Sequence, residues 1–300
     1  VKIQAGGKLK RFIVFFNIAI FSAVSLAQAA TPALDVLTDE AAGFFSEAPA
    51  PALPLRASKP FPLPEEEIDG EDLFSYLHEA TEPDYRAYPS YDSSREFMYS
   101  KADNTGCGGV PGIITFYSLV CLKGAGDSGN DYRESGDMNK DGVIDNFINA
   151  EHIWPQGYFN SRLPMVADLH HLAPTLPTPN GRRGNLKFAK VSSPLYKTSS
   201  GSMMGREGFE PADAVKGNVA RAVLYFMVRY HDKSIRQGMD YNSFWVNTVP
   251  LLLQWNRQDP PDAAERRRND LVEGFQGNRN PFIDYPELAD RVGEPVFKAH

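Results

Sequence analysis

The segment KGNVARAVLYFMVRYHD sets Val219, Val223, Phe226, Met227 and Tyr230 at steps of three and four residues. Wound into a helix, it carries all five on one face, so the pattern predicts a buried helix. Asn242 to Trp255 reads as a second core helix, and Asp259-Pro260 as the start of a third that Gly277 ends. Nearer the start, DLFSYLHEAT has apolar residues at helical spacing, and YDSSREFMYSKADN reads as another short helix. ITFYSLV reads as a strand, as does Asn146 to Ile153, which leads into a Trp154-Pro155 turn. Asp131 to Asp145 is polar and loop-like, and no internal repeat is found. The pattern predicts an α+β fold whose last third is helical.

The periodicity is missing from residues 30–68. That stretch is rich in Ala and Pro (EAPAPALPL, KPFPLPEEE) and reads as a disordered lead-in or pro-segment, with the globular domain at 69–300. Before it, Lys2, Lys8, Lys10 and Arg11 precede an apolar run from Phe12 to Leu26 and then Ala27-Gln28-Ala29. That order predicts a signal peptide over 1–29 and export, to the periplasm or the medium, with no membrane anchor after cleavage. The chain has 300 residues, 42% of them hydrophobic, enough for one substantial core. Its two cysteines, Cys107 and Cys121, are expected to form a disulfide in an oxidising compartment, the alternative being two buried thiols.

Charge narrows the partners. The formal net charge is −7, awkward for a protein that binds a polyanion. Residues 30–69 hold eight acids and two bases, however, so much of the excess sits outside the main body. Whole-chain charge therefore lowers the case for nucleic acid without deciding it.

Chemistry concentrates in three blocks: NAEHIWPQGYFN, MVADLHHLAPT and NGRRGNLKF. Cleaving a phosphodiester takes a base to activate water and a cation to offset charge on the phosphate and the departing oxygen. A histidine titrates near neutrality, and carboxylate and amide oxygens suit a hard divalent ion. His152, Glu151 and Asn185 supply those functions. The blocks resemble those of the endonuclease I family, within the His-Me finger (ββα-metal) group. YDSSREFMYSKADN, KGNVARAVLYFMVRYHD and LLLQWNRQDPPDAAERRRNDLVEGFQGNRNPFIDYPELA extend the resemblance over roughly residues 70–292.

The resemblance implies a ββα element in a mainly helical single domain. It implies His152 as general base, and Glu151 and Asn185 as ligands of one divalent cation, Mg²⁺ with Mn²⁺ or Ca²⁺ as alternatives. Asn185 would lie on the helix after a strand carrying DLHHL. Products would carry 5′-phosphates. The expected partner is DNA, and RNA besides, held by its backbone by a monomer. Arg182 and Lys187 are candidate phosphate contacts, and Arg183 a candidate for transition-state charge. Arg162 stands in the gap where some relatives carry an assisting arginine, but that role is not transferred to it. Strand alternation would send His170 and His171 to opposite faces, in supporting roles, with Asp168 fixing local geometry. The three residues Arg266, Arg267 and Arg268 fan around a helix and cannot all face one groove. Arg279 is expected to be buried, tying the C-terminal part to the core.

DMNKDGVID is read separately. Asp137, Asn139, Asp141 and Gly142 match the first half of a calcium loop, and Asp145 its ninth position. Ile148 stands where an EF-hand has its closing Glu, so this is a calcium loop completed from elsewhere or a solvated turn. Two rival functions stay open: a secreted calcium-binding or adhesive module without catalysis, and a zinc hydrolase built on His152, His170 and His171.

Overall fold

The computed structural model describes residues 59–82, 89–107, 109, 111–123 and 148–300. The expected signal peptide, most of the lead-in and the Asp137–Asp145 loop lie outside the described residues. The first helices are α1 (Gly70–Ala80) and α2 (Tyr91–Phe97), the latter running on into one π turn, Met98–Ala102. Leu73, Phe74 and Leu77 bury the apolar face of α1. Ser90 caps α2, its hydroxyl accepting from the Ser93 amide at 3.1 Å. A small hairpin follows, β1 (Gly112–Ile114) against β2 (Cys121–Lys123).

The second hairpin positions the site. Strand β3 (Asn149–His152) pairs antiparallel with β4 (Leu172–Thr175), setting Glu151 opposite Ala173 and His152 opposite Leu172. Helix α3 (Pro177–Arg183) starts on a proline, which has no amide to leave unpaired in a first turn. Three two-residue strands come next, β5 (Tyr196–Lys197), β6 (Met203–Met204) and β7 (Phe209–Glu210), joined in that order.

Helix α4 (Lys216–Tyr230) is buried on nearly all sides, so the predicted apolar face is only part of its buried surface. Against it pack α5 (Val249–Gln258), α1 and α7 (Pro281–Asp284). Trp154, just past β3, stacks on Phe226 of α4 at 5.0 Å between ring centroids and sits 5.9 Å from Trp245. Helices α6 (Ala263–Gln276), α8 (Leu288–Val292) and α9 (Glu294–Ala299) complete the helical part. Among the described residues no helix is long and apolar enough to cross a membrane.

Several elements depart from the sequence pattern, each for a local reason. Beyond Ile114, which ends β1, ITFYSLV is not a strand. It is the turn joining β1 to β2, closed by the Thr115 amide on Val120 O and the Leu119 amide on Thr115 O. Leu119 takes a positive φ of 53°, and Cys107–Cys121 form the expected disulfide. The predicted helix over Asn242–Trp255 breaks in two: a π turn covers Asn242–Val246, and α5 begins at Val249 with Pro250 in its first turn. Helix α6 starts at Ala263, later than Asp259-Pro260, because Asp262 accepts the Glu265 amide at 2.7 Å and caps it there. Gly277 ends it at φ +80° as expected. The end of the supposed lead-in is docked: Phe61 is buried, and its amide donates to Asp284.

The packing makes Phe226 the least dispensable apolar side chain near the hairpin. It touches Trp154, Phe159, His171 and Tyr230. Phe226→Ala should cost ~3–5 kcal/mol in urea unfolding. A loss below ~1 kcal/mol would mean that α4 is not the centre of the core.

Candidate active site

Glu151 is buried on β3 and takes two donors on the same oxygen. The Tyr117 hydroxyl donates to Oε1 at 2.8 Å, and Arg183 Nη1 lies 2.9 Å from it. Burial pushes the Glu151 carboxyl up from its ordinary range, and Arg183 and Tyr117 pull it back down. Oε2 is left outside these two contacts.

Arg183 is not where a phosphate could meet it. It is fully buried at the end of α3. Besides Glu151, its guanidinium donates to the backbone carbonyls of His152 and Ile153 and lies over the Phe188 ring. The expectation of a phosphate-facing Arg183 is therefore corrected: the helix turns Arg182 outward to solvent, near the Tyr196 ring, and its neighbour inward.

His152 is also buried, 5.4 Å from the Tyr91 ring and 5.5 Å from that of His171. Its Nε2 lies 3.0 Å from the Val166 carbonyl. A carbonyl only accepts, so Nε2 carries the proton and Nδ1 the lone pair. Burial, then the neighbouring His171, lowers its pKa to about 3, so the ring is neutral at working pH.

DLHHL is not a strand but a tight 3₁₀ turn, Leu169–His171, before β4 begins. Asp168 causes this by accepting the His170 amide at 2.9 Å. The same carboxylate accepts from Gln276, Tyr225 and Tyr230, at 2.7 to 2.8 Å. His170 donates to Asn278 O and His171 to Met165 O, while their buried Nδ1 atoms find no partner among the described residues. The three imidazoles do not converge on a point, and no group of three His, Cys, Asp or Glu among the described residues could hold a metal. That removes the geometric basis for the zinc reading.

Asn185 lies two residues beyond α3 rather than on it, because Gly184 ends the helix at φ +48°. It is exposed; the Tyr158 hydroxyl donates to its carbonyl, and its side chain lies against Gly157, where an added Cβ would stand 3.5 Å from the amide. Lys187 is half-buried and donates to Ser243. Arg162 is exposed. The basic run on α6 divides as helix geometry requires: Arg268 pairs with Asp103 and donates to Leu169 O and Leu172 O, and Arg266 reaches Ile283 O. Arg279 is buried among Asp270, Glu273 and Asp284. Tyr117 was not anticipated; its only sequence signal is a place between the two cysteines.

A hard divalent cation is compatible with this donor set. One carboxylate oxygen of Glu151 stands outside the Tyr117 and Arg183 contacts, the Asn185 amide is exposed, and both are oxygen ligands of the kind such ions take.

A sequence model described as Endonuclease I matches residues 75–287, from within α1 to beyond α7. The chain belongs to the endonuclease I family. Within it, the chain is 36% identical over 170 residues to an extracellular ribonuclease of Bacillus amyloliquefaciens, covering 53% of this chain and 58% of that one. It is 31% identical over 124 residues to an extracellular deoxyribonuclease of Aeromonas hydrophila, covering 40% and 50%. A periplasmic deoxyribonuclease of the same organism is 30% identical, covering 40% and 48%. The matches span about half the length of these relatives.

Three buried neutral histidines give this endonuclease I chain an acid liability. Burial lowers His152 to about 3, and His170 and His171 to about 4. Above about pH 6.5 both folded and unfolded forms leave them neutral, so they add no pH dependence. Between about 6.5 and 4 the unfolded chain binds protons that the folded chain refuses, so stability falls as pH falls. Calorimetry at pH 5 should find net proton uptake on unfolding, reduced in His170→Asn and His171→Asn. Unchanged uptake in those variants would show that the rings are not held neutral.

Proposed function

We propose that the chain is an exported, metal-dependent endonuclease that hydrolyses the phosphodiester backbone of DNA, and of RNA as well, with little regard to base sequence. The observation that carries this reading is the Glu151–His152 pair on β3: a buried carboxylate next to a buried imidazole held neutral. β3, β4 and α3 stand as the ββα element of the His-Me finger group. Relatives named as ribonuclease and as deoxyribonuclease support activity on both nucleic acids, and their extracellular and periplasmic names support export.

His152 is the general base. With its proton on Nε2 against Val166 O, its Nδ1 lone pair takes the proton of the attacking water. Glu151 Oε2 and the Asn185 amide oxygen would hold the divalent cation on which the family generally depends. When bound, it supplies charge neutralisation at the phosphate and the departing 3′ oxygen, leaving 5′-phosphate ends. Arg183 holds Glu151 and the carbonyls of His152 and Ile153 in register from behind. Arg182 and Lys187 bind flanking phosphates. No base-reading element is needed for such contacts.

Plasmid and RNA digestion in Mg²⁺, with and without EDTA, tests this. Wild type should cut both, EDTA should stop it, and His152→Ala should lower the rate by roughly 10²–10⁴-fold. Intact substrate with wild type across several salt levels would sink the function. A His152→Ala variant cutting at the wild-type rate would sink the mechanism alone.

A further inference from the structure

Tyr117 is wholly enclosed, yet it carries a hydroxyl whose acceptor is the Glu151 carboxylate, 2.8 Å away. A phenylalanine would fill the same space against Phe209, whose ring centroid lies 4.7 Å off. Burying a hydroxyl is unfavourable unless it is paired, so the group is explained by what it does to Glu151.

The backbone behind that hydroxyl is pinned with unusual thoroughness. The Tyr117 carbonyl accepts three hydroxyls from one turn: Ser202 at 2.7 Å, Ser200 at 2.8 Å and Thr198 at 3.3 Å. Ser202 Oγ in turn accepts the Ala212 amide at 2.9 Å. One residue earlier, the Phe116 amide donates to Pro174 O at 2.7 Å, on the strand paired with β3. Tyr117 is thus fixed against the hairpin on one side and the Thr198–Ser202 turn on the other.

With Arg183 on the same Oε1, the carboxylate has two donors on one oxygen and its last rotation is set. The other oxygen is then aimed without further ordering when a cation arrives, which is how groups behind a ligand raise its affinity. We propose that Tyr117, backed by the hydroxyls of Thr198, Ser200 and Ser202, is a positioning residue that sets the cation affinity of Glu151. This rests on the reading of Glu151 as a cation ligand.

Calorimetric titration with Mn²⁺, without substrate, tests it. Tyr117→Phe should weaken Mn²⁺ binding about tenfold, while the cleavage rate at saturating Mn²⁺ stays within about threefold of wild type, since the ligand itself is kept. Ser202→Ala should move the affinity in the same direction by less. In a Glu151→Gln background, Tyr117→Phe should have no further effect on Mn²⁺ binding, because the hydroxyl acts through that carboxylate. Unchanged Mn²⁺ affinity in Tyr117→Phe, with only a lower urea midpoint, overturns the proposal and makes the hydroxyl purely structural. A wild type that binds no Mn²⁺, or a Glu151→Gln variant that binds it as well as wild type, overturns the ligand reading first and this inference with it.

Discussion

Arg183 carries a charge into a region that water does not reach. A buried guanidinium is costly unless its donors are met, and here both terminal nitrogens are met by one carboxylate and two backbone carbonyls, all on β3 or directly after it, while Nε finds no partner among the described residues. The contact joins the last turn of α3 to the strand carrying Glu151 and His152. It orients the carboxylate, fixes the strand end where the imidazole projects, and stands a fixed positive charge behind both. Two residues on, Asn185 is delivered to the surface by the break that Gly184 makes in the helix. The relative placement of all three candidate residues therefore hangs on this one side chain.

The rest of the molecule braces the same hairpin from the back. Asp168 gathers donors from α4 and α6 and shapes the turn into β4. Arg268 of α6 holds the carbonyls of Leu169 and Leu172 on either side of that turn. His170 and His171, conspicuous in the sequence, spend their Nε2 protons on backbone carbonyls and serve as packing. Charge is divided along the chain in a matching way. From Leu169 to Arg206 there is no Asp or Glu, but there are six bases. Of these only Arg183 is fully buried, while Arg182, Lys190, Lys197 and Arg206 are exposed. An acidic chain thus keeps a run of exposed bases in the sequence on either side of Arg183 and Asn185.

What could be read from the sequence was what rests on periodicity and on local caps. Helix α4 followed from its apolar spacing, and the end of α6 from Gly277. Asp259-Pro260 suggests an earlier start for α6, whereas the Asp262 cap decides it. A strand at ITFYSLV is suggested by its residues and one at DLHHL by the family resemblance, yet loop-closing and side-chain-to-backbone hydrogen bonds turn both. The pair Arg182-Arg183 shows the limit most clearly. The two side chains are identical in sequence, and only the rotation of α3 against the hairpin separates the exposed one from the buried one. Tyr117 lay beyond reach for the same reason: it meets Glu151 across 34 residues through a fold that no local pattern encodes.

Arg183 stands in the fold as a strut rather than as a contact for substrate. A lysine keeps the charge but cannot reach three acceptors from one planar fork. Urea unfolding of Arg183→Lys beside Arg182→Lys separates the two roles without any substrate present. A strut at Arg183 should show a loss of about 3–5 kcal/mol for Arg183→Lys, and a change within about 0.5 kcal/mol for Arg182→Lys. An Arg183→Lys variant as stable as wild type, impaired only in cutting nucleic acid, would contradict it.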